Sequence, residues 1–254
     1  MSDDLSACAR IVEKGDPMRF RAVMTAPPAA REKLFPLYAF NVEVARAPWI
    51  TSEPGIAEIR LQWWIDALEE IAAGGTVRRH EVVVPLALVI APAQARALQA
   101  LIEARMRDVY GEPFADLPEL LAYLNATAGT LLETAAAMLG QRDPAPARAA
   151  GLAQGVAGWL SAVPALKKAG RVPLPDESRE GIGALVGEGL AALEAARQGP
   201  IDRPARPAFH VMAGVGHMLT RARASRTPVF SGTLEPGPAK LSYALMKAAL
   251  LGRW

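Results

Sequence analysis

The sequence predicts an all-α fold, a helical bundle made from a single domain. No segment shows the sustained alternation of apolar and polar residues that strands need. The only cluster of β-favouring residues, Val82–Val84, runs into a longer segment of helix length. Proline and glycine divide the chain at intervals typical of helices, and no linker is long enough to separate two domains. We therefore expect one domain over residues 1–254.

The prolines and glycines also set the expected helix ends. The breaks, in order, are Pro27-Pro28, Pro48, Gly74-Gly75, Pro92, Gly111 with Pro113, Pro144, Pro173 with Pro175, Gly199-Pro200, and Pro236 to Pro238. The helices predicted between them cover about residues 3–14, 17–26, 28–47, 53–73, 81–91, 93–109, 117–140, 145–168, 177–198, 204–224 and 238–252.

The helix predicted over 53–73 carries the strongest pattern. Thr51 or Ser52 is expected to cap it, and Pro54 suits its first turn. An apolar stripe follows at helical spacing, through Ile56, Ile59, Trp63 and Ala67, and Trp64, Leu68 and Ile71 widen it into a broad apolar face. A polar row runs down another side, through Glu58, Gln62, Asp66 and Glu69. The stripe predicts core, whereas the row fits either a solvated face or the border of a cleft, which periodicity alone does not distinguish.

Composition excludes several classes of protein. Hydrophobic residues make up 51% of the chain and charged residues 21%, as in globular proteins, and a net charge of +2 does not point to nucleic acid. The lone Cys8 excludes an internal disulfide framework. The apolar run Val82–Ala91 is too short to span a bilayer, and the N-terminus lacks the basic-then-apolar order of a secretory signal. We expect a cytoplasmic protein, with peripheral contact to a bacterial inner membrane left open.

Three stretches, taken together and in order, resemble the squalene/phytoene synthase family across nearly the whole chain. They are LYAFNVEVA (37–45) followed by SEPGIAEIRLQWW (52–64), RMRDVYGEPFADLPELLAYLNATAGTLL (105–132), and GLAQGVAGWLSAVPALKKAGRVPLP (151–175). The resemblance implies the isoprenoid (trans-prenyltransferase) synthase fold, an all-α bundle around a central cavity. It also implies head-to-head joining of two allylic diphosphates, with Mg²⁺ held by two aspartate clusters.

Both aspartate clusters are missing from this chain. The first falls on residues 45–49, Ala-Arg-Ala-Pro-Trp, and the second precedes Gly170-Arg171 within residues 159–166, Trp-Leu-Ser-Ala-Val-Pro-Ala-Leu. Magnesium is a hard ion that binds through carboxylates and water. We therefore expect a pseudoenzyme that uses no cofactor. AFNVEVA and GLAQGVAGWLSAVP are closer to the non-synthase branch that includes the phytoene-synthase-like mitochondrial assembly factor for respiratory complex I. That resemblance implies a role in assembling this complex, with its subunits as partners.

Nine residues are candidates to line the cavity left by the lost chemistry. They are Asn41, Glu43, Arg46, Glu58, Arg60, Gln62, Asp66, Asp108 and Asn125. Arg60, Arg105 and Arg107 are expected partners for carboxylates such as Glu43 and Glu58. Two alternatives stay open. The chain could be an isoprenoid diphosphate transferase that holds Mg²⁺ with relocated acidic residues (Glu43, Glu58, Asp66 and Asp108), or a protein that only binds an isoprenoid or another lipid.

Two further features lie near the C-terminus. His210 and His217 are seven apart on one predicted helix, a spacing that favours structural histidines over a metal site because no cysteine or acidic residue accompanies them. The tail over residues 241–254, LSYALMKAALLGRW, is amphipathic. We expect it to pack on the bundle, with a partner-facing or membrane-facing helix as the alternative.

Overall fold

The computed structural model describes residues 3–51, 53–252 and 254. These residues form an all-α bundle without a strand, which confirms the predicted fold class. The α-helices are α1 (Asp3–Gly15), α2 (Pro17–Met24), α3 (Pro28–Arg46), α4 (Pro54–Ala73), α5 (Val83–Ala87), α6 (Pro92–Arg105), α7 (Arg107–Tyr110), α8 (Leu117–Leu124), α9 (Thr130–Met138), α10 (Ala145–Lys168), α11 (Arg179–Gln198), α12 (Val215–Ala224), α13 (Thr227–Ser231) and α14 (Pro238–Leu251). Two 3₁₀ segments, Ala47–Trp49 and Arg203–Met212, and a π-helical turn, Asn125–Gly129, lie between them.

Three of the predicted helices are interrupted. The helix predicted over 204–224 breaks at Gly214, whose φ of 91° only glycine adopts without strain. Pro204 and Pro207 lack the N–H groups that an α-helix uses, and the segment before the break is 3₁₀. The helix predicted over 93–109 divides at Met106, and the one over 117–140 contains the π-helical turn. Sequence periodicity continues across these breaks, so it did not reveal them.

Helix α10 is the core of the bundle. It packs against α8, α9, α11, α12, α13 and the π-helical turn. Its length and hydropathy would also suit a membrane span, although nearly half of its apolar window is buried within the protein. Gly151 and Gly155 allow the closest approach. A Cβ atom on Gly151 would lie 2.6 Å from the Ala128 carbonyl oxygen, and one on Gly155 would lie 2.9 Å from the Ala128 Cβ. The backbone of α10 therefore lies directly against the backbone of the π-helical turn at Gly151 and against the Ala128 methyl group at Gly155.

The apolar stripe predicted for α4 is partly wrong. Ile56 and Ile59 are 42% and 70% exposed, and Trp63 is only half-buried. The buried side of α4, which packs on α6 and on the 3₁₀ segment Ala47–Trp49, consists of Ala57, Leu61, Trp64, Ala67, Leu68 and Ile71. The predicted face is confirmed at Trp64, Ala67, Leu68 and Ile71. It is wrong at Ile56 and Ile59, because the first turns of α4 lie at the surface.

The start of α4 also differs from the expected cap. Glu53 occupies the N-cap position without a side-chain capping bond, and its N–H donates to the Thr51 hydroxyl oxygen at 3.1 Å. Ser52, the other expected cap, lies outside the described residues.

The C-terminal features are largely as predicted. Leu241, Leu245 and Ala248 of α14 are buried where this helix packs on the 3₁₀ segment Arg203–Met212. The Trp254 ring stacks on Phe209 with centroids 5.9 Å apart. His210 is buried, and its Nδ1 lies 2.8 Å from the Thr25 hydroxyl. The break at Gly214 separates it from His217, so the two histidines do not share one helix.

Candidate functional site

A cavity of about 200 Å³ lies where the end of α3, α7, α8 and the C-terminal half of α10 converge. The 3₁₀ segment Ala47–Trp49 and the loop after α10 close its sides. Its lining residues are Ala45, Trp49, Arg105, Arg107, Asp108, Gly111, Glu112, Phe114, Tyr123, Trp159, Ala162, Leu166, Arg171, Val172 and Pro173. We call this space the central cavity.

The positions expected to carry the two metal clusters line this one cavity. From the first position come Ala45 and Trp49, and from the second come Trp159, Ala162 and Leu166. All five side chains are apolar. Among the described residues, moreover, no three His, Cys, Asp or Glu side chains come together in a way that could hold a metal ion. This donor set does not fit Mg²⁺, which needs several oxygen ligands.

Aromatic rings form one wall of the central cavity. Phe114, Tyr123 and Trp159 contact one another with ring centroids 5.3 to 5.6 Å apart. The Trp159 indole N–H donates to the Pro173 carbonyl at 2.8 Å, which fixes the ring against the loop after α10. Mutual edge contacts and this hydrogen bond give the wall a fixed shape.

Asp108 contributes a carboxylate to the cavity, and the protein itself satisfies it. The Tyr123 hydroxyl donates to its Oδ2 at 2.8 Å, and the Arg105 guanidinium lies 3.6 Å from the same oxygen. Burial raises the pKa of Asp108, and the cation of Arg105 opposes this rise. Burial likewise raises the pKa of Tyr123, which keeps its hydroxyl a donor. Asp108 is thus held in place rather than presented to a ligand.

Two further arginines line the cavity. The Arg171 guanidinium lies 5.2 Å from the centre of the Trp49 ring and donates to the Asp108 backbone carbonyl at 3.1 Å. Arg107 lies over Phe114 at 3.9 Å and donates to Glu119 at 2.9 Å. The cavity therefore combines fixed cations with aromatic and aliphatic surface, a set that suits a small anion with an apolar body.

Of the nine predicted site residues, only Asp108 lines the central cavity. Glu43 and Arg60 line a separate, open groove beside Trp63, and the Arg46 guanidinium lies 3.4 Å from Glu43. Asn41 is buried in α3, and its Oδ1 accepts no hydrogen bond from the described part of the chain.

The remaining predicted residues lie elsewhere. Glu58 accepts a hydrogen bond from the Tyr110 hydroxyl at 2.6 Å, and Gln62 donates to Asp66 at 2.8 Å on the exposed side of α4. Asn125 lines a groove between α8, α10 and α11. The expected pairing of Arg105 and Arg107 with Glu43 or Glu58 is wrong, because these arginines pair with Asp108 and Glu119.

Sequence reasoning missed the residues that define the cavity. They are Trp49, Phe114, Tyr123, Trp159 and Arg171. All of them lie in, or directly between, the stretches that carry the family resemblance. A search for aromatic and arginine side chains within those stretches could have found these residues. The acidic residues that were chosen instead lie mostly outside the cavity.

Comparisons with known proteins support the family resemblance. Residues 12–184 match the family model described as squalene/phytoene synthase. The chain is 28% identical over 183 residues to the bovine protein named NADH dehydrogenase (ubiquinone) complex I, assembly factor 6, covering 66% of this chain and 52% of that protein. It is 31% identical over 167 residues to the Drosophila melanogaster homolog of that factor, covering 62% of this chain and 50% of the homolog. The chain thus spans about half the length of the curated relatives it matches.

Solved structures share the fold over almost the whole chain. A dehydrosqualene synthase in complex with ligand superposes with a TM-score of 0.74 at 15% identity, covering 96% of this chain and 94% of that one. The squalene synthase HpnC from Alicyclobacillus acidocaldarius superposes with a TM-score of 0.73 at 18% identity, covering 88% of this chain and 94% of that one. At such identities the likeness shows the fold alone.

Proposed function

The chain belongs to the squalene/phytoene synthase family, and we propose that it is a non-catalytic member that assists the assembly of respiratory complex I, the NADH:quinone oxidoreductase. One observation carries the first half of this proposal. The family's two metal positions line the central cavity with Ala45 and Trp49 on one side and Trp159, Ala162 and Leu166 on the other. We further propose that the protein works without Mg²⁺ or another cofactor.

The central cavity is poorly suited to the charge of a diphosphate leaving group. Diphosphate is multiply charged, and its departure needs metal ions or several free cations aimed at it. Arg105 and Arg107 are already paired with Asp108 and Glu119. A cavity of about 200 Å³ is also smaller than the roughly 300–1,000 Å³ of ordinary small-molecule sites. Charge and size both argue against two isoprenoid diphosphates in this space.

The second half of the proposal is supported by the curated relatives. The bovine relative is named complex I assembly factor 6, and the fruit-fly relative is named as its homolog. We propose that the partners of this protein are subunits of complex I and that it works in the cytoplasm, beside the inner membrane.

Gene deletion followed by restoration tests this role. Loss of membrane NADH:quinone oxidoreductase activity on deletion, and recovery with the wild-type gene, is the expected result. Unchanged activity after deletion would contradict the assembly role. Recovery should also occur with Ala162→Leu, which adds apolar volume at the wall of the central cavity.

A second candidate function rests on the chemistry of the cavity. Arg171, the aromatic wall and Val172 could bind a small ligand with one anionic group and an apolar body. If the protein acts by binding such a ligand, Ala162→Leu should fold but should not restore the NADH:quinone oxidoreductase activity. The transferase alternative has weaker support, because Glu43, Glu58, Asp66 and Asp108 make separate local contacts and form no cluster within the described residues.

A further inference from the structure

Helix α14 exposes a row of large apolar side chains on the side opposite its packed face. Tyr243 is 63% exposed, Met246 is 51% exposed and Leu250 is 75% exposed. Their spacing of three and then four residues places them on one face of the helix. The inner face, with Leu241, Leu245 and Ala248, is already buried against the bundle. The outer row therefore lies mostly in solvent and packs much less than the inner face against the described part of the chain.

Positive charge accompanies this row. Lys240 and Lys247, seven residues apart, form a second row beside it, and the sequence contains no Asp or Glu between Pro236 and Trp254. Arg206 packs beside Gly252, and Arg197 donates to the Trp254 backbone carbonyl at 2.8 Å. Within the described residues, Lys240, Lys247 and Arg206 form no ion pair with a carboxylate. The surface around α14 is thus apolar along one line and cationic around it.

We propose that the outer face of α14 docks on a membrane surface that contains anionic lipids. An amphipathic helix with a basic border lies in the plane of such a surface, where the apolar row enters the acyl boundary and the cations meet the headgroups. Tyr243 suits the interfacial level, as aromatic residues with a polar end do. The 14 residues of α14 extend for about 21 Å, short of the roughly 30 Å hydrocarbon core, so the helix lies on the membrane and does not span it.

Charge argues against a second copy of the chain as the occupant. A two-fold contact through α14 would bring two cationic surfaces together around the apolar rows. An anionic lipid surface attracts the cations around α14 instead of repelling them, and its acyl chains cover the apolar row. The docking face also lies outside residues 12–184, the part that matches the family model, and its test does not depend on the assembly role.

Vesicle sedimentation with the purified full chain tests the proposal. We expect the protein to sediment with vesicles of phosphatidylglycerol and phosphatidylcholine, and to remain in the supernatant with phosphatidylcholine alone. Leu250→Glu should weaken binding by at least about tenfold, because it replaces an apolar side chain with a negative charge that the anionic lipid repels. The matched control is Leu88→Glu, since Leu88 is 82% exposed and follows α5, which packs on α1 and α3, whereas α14 packs on Arg203–Met212. This variant should bind as the wild type does.

A second arm separates electrostatic docking from general adhesion. Lys240→Gln combined with Lys247→Gln should weaken binding to the anionic vesicles several-fold, and raising the salt from about 0.1 M to about 1 M should do the same. A wild type that stays in the supernatant with anionic vesicles would overturn the proposal and leave this face to a protein partner. Equal loss of binding in Leu88→Glu and Leu250→Glu would overturn it as well.

Discussion

The two halves of α10 serve different purposes. In the N-terminal half, Gly151 and Gly155 bring the helix backbone against Ala128 and Gly129 of the π-helical turn. In the C-terminal half, beginning at Trp159, the helix lines the central cavity with apolar side chains where the family's metal ligands would stand. The first half packs against its neighbours without room for a side chain, while the second half carries no acidic side chain at the family's metal position and the fold is retained. Helix packing and catalytic side chains are therefore separable within one helix.

The largest effect should come from the packed half of α10. In Gly151→Ala the new Cβ would lie 2.6 Å from the Ala128 carbonyl oxygen and 2.7 Å from the Gly129 Cα, and neither backbone atom can move aside easily. We expect a loss of about 2–3 kcal/mol in the free energy of unfolding, measured by chemical denaturation.

Gly158→Ala is the matched control on the same helix. Nothing lies within 4 Å of its new Cβ, so it should stabilise the helix by up to about 1 kcal/mol. Equal stabilities of the two variants would show that the N-terminal half of α10 is not closely packed against the π-helical turn.

The helices next to the cavity allow a second contrast, between packing and a former metal position. Trp63 contacts Trp64 at 5.1 Å between ring centroids and lies under Arg78 at 4.8 Å, so Trp63→Ala should cost about 2 kcal/mol even though the ring is half-buried. Arg46, whose side chain is 58% exposed, falls on the first metal position, and Arg46→Ala should change stability by no more than about 0.5 kcal/mol. Thermal unfolding of both variants measures this. If Arg46→Ala unfolds the protein, the fold depends on this exposed position and the contrast with Trp63 is wrong.

The packed part of the bundle should also show a pH dependence. Burial lowers the pKa of His210, so the folded protein favours the neutral ring. Its stabilising contribution is full above the ordinary histidine pKa of about 6.5 and is lost as the pH falls through the lower folded-state pKa.

We expect the wild type to lose about 1 kcal/mol more than His210→Gln between roughly pH 7 and pH 5. Denaturation of both proteins across this range gives the difference. Parallel curves would show that His210 does not titrate with folding.

A small effect is also expected in the cavity half of α10. Ala162→Leu adds three carbon atoms to a side chain that faces about 200 Å³ of open space, so its stability should differ from the wild type by less than about 1 kcal/mol. A loss as large as that of Gly151→Ala would mean that both halves of α10 are packed alike.

The sequence predicted the helices better than the site. Proline and glycine mark helix ends locally, which is why the bounds of α10 (145–168) were predicted as observed. The buried side of α4 and the break at Gly214 depend on which neighbours cover each turn, and spacing along one helix does not contain that information. The cavity is harder still, because Trp49, Phe114 and Arg171 come from distant segments that meet only through tertiary packing. The missing aspartates could be read directly, but what replaces them could not.

The decisive measurement is release of diphosphate from farnesyl or geranylgeranyl diphosphate by the purified protein at millimolar Mg²⁺. We expect no release above the buffer rate, because neither metal position in the cavity carries a carboxylate. Mg²⁺-dependent release that Asp108→Asn abolishes would contradict it, and would show that the central cavity is still an active site.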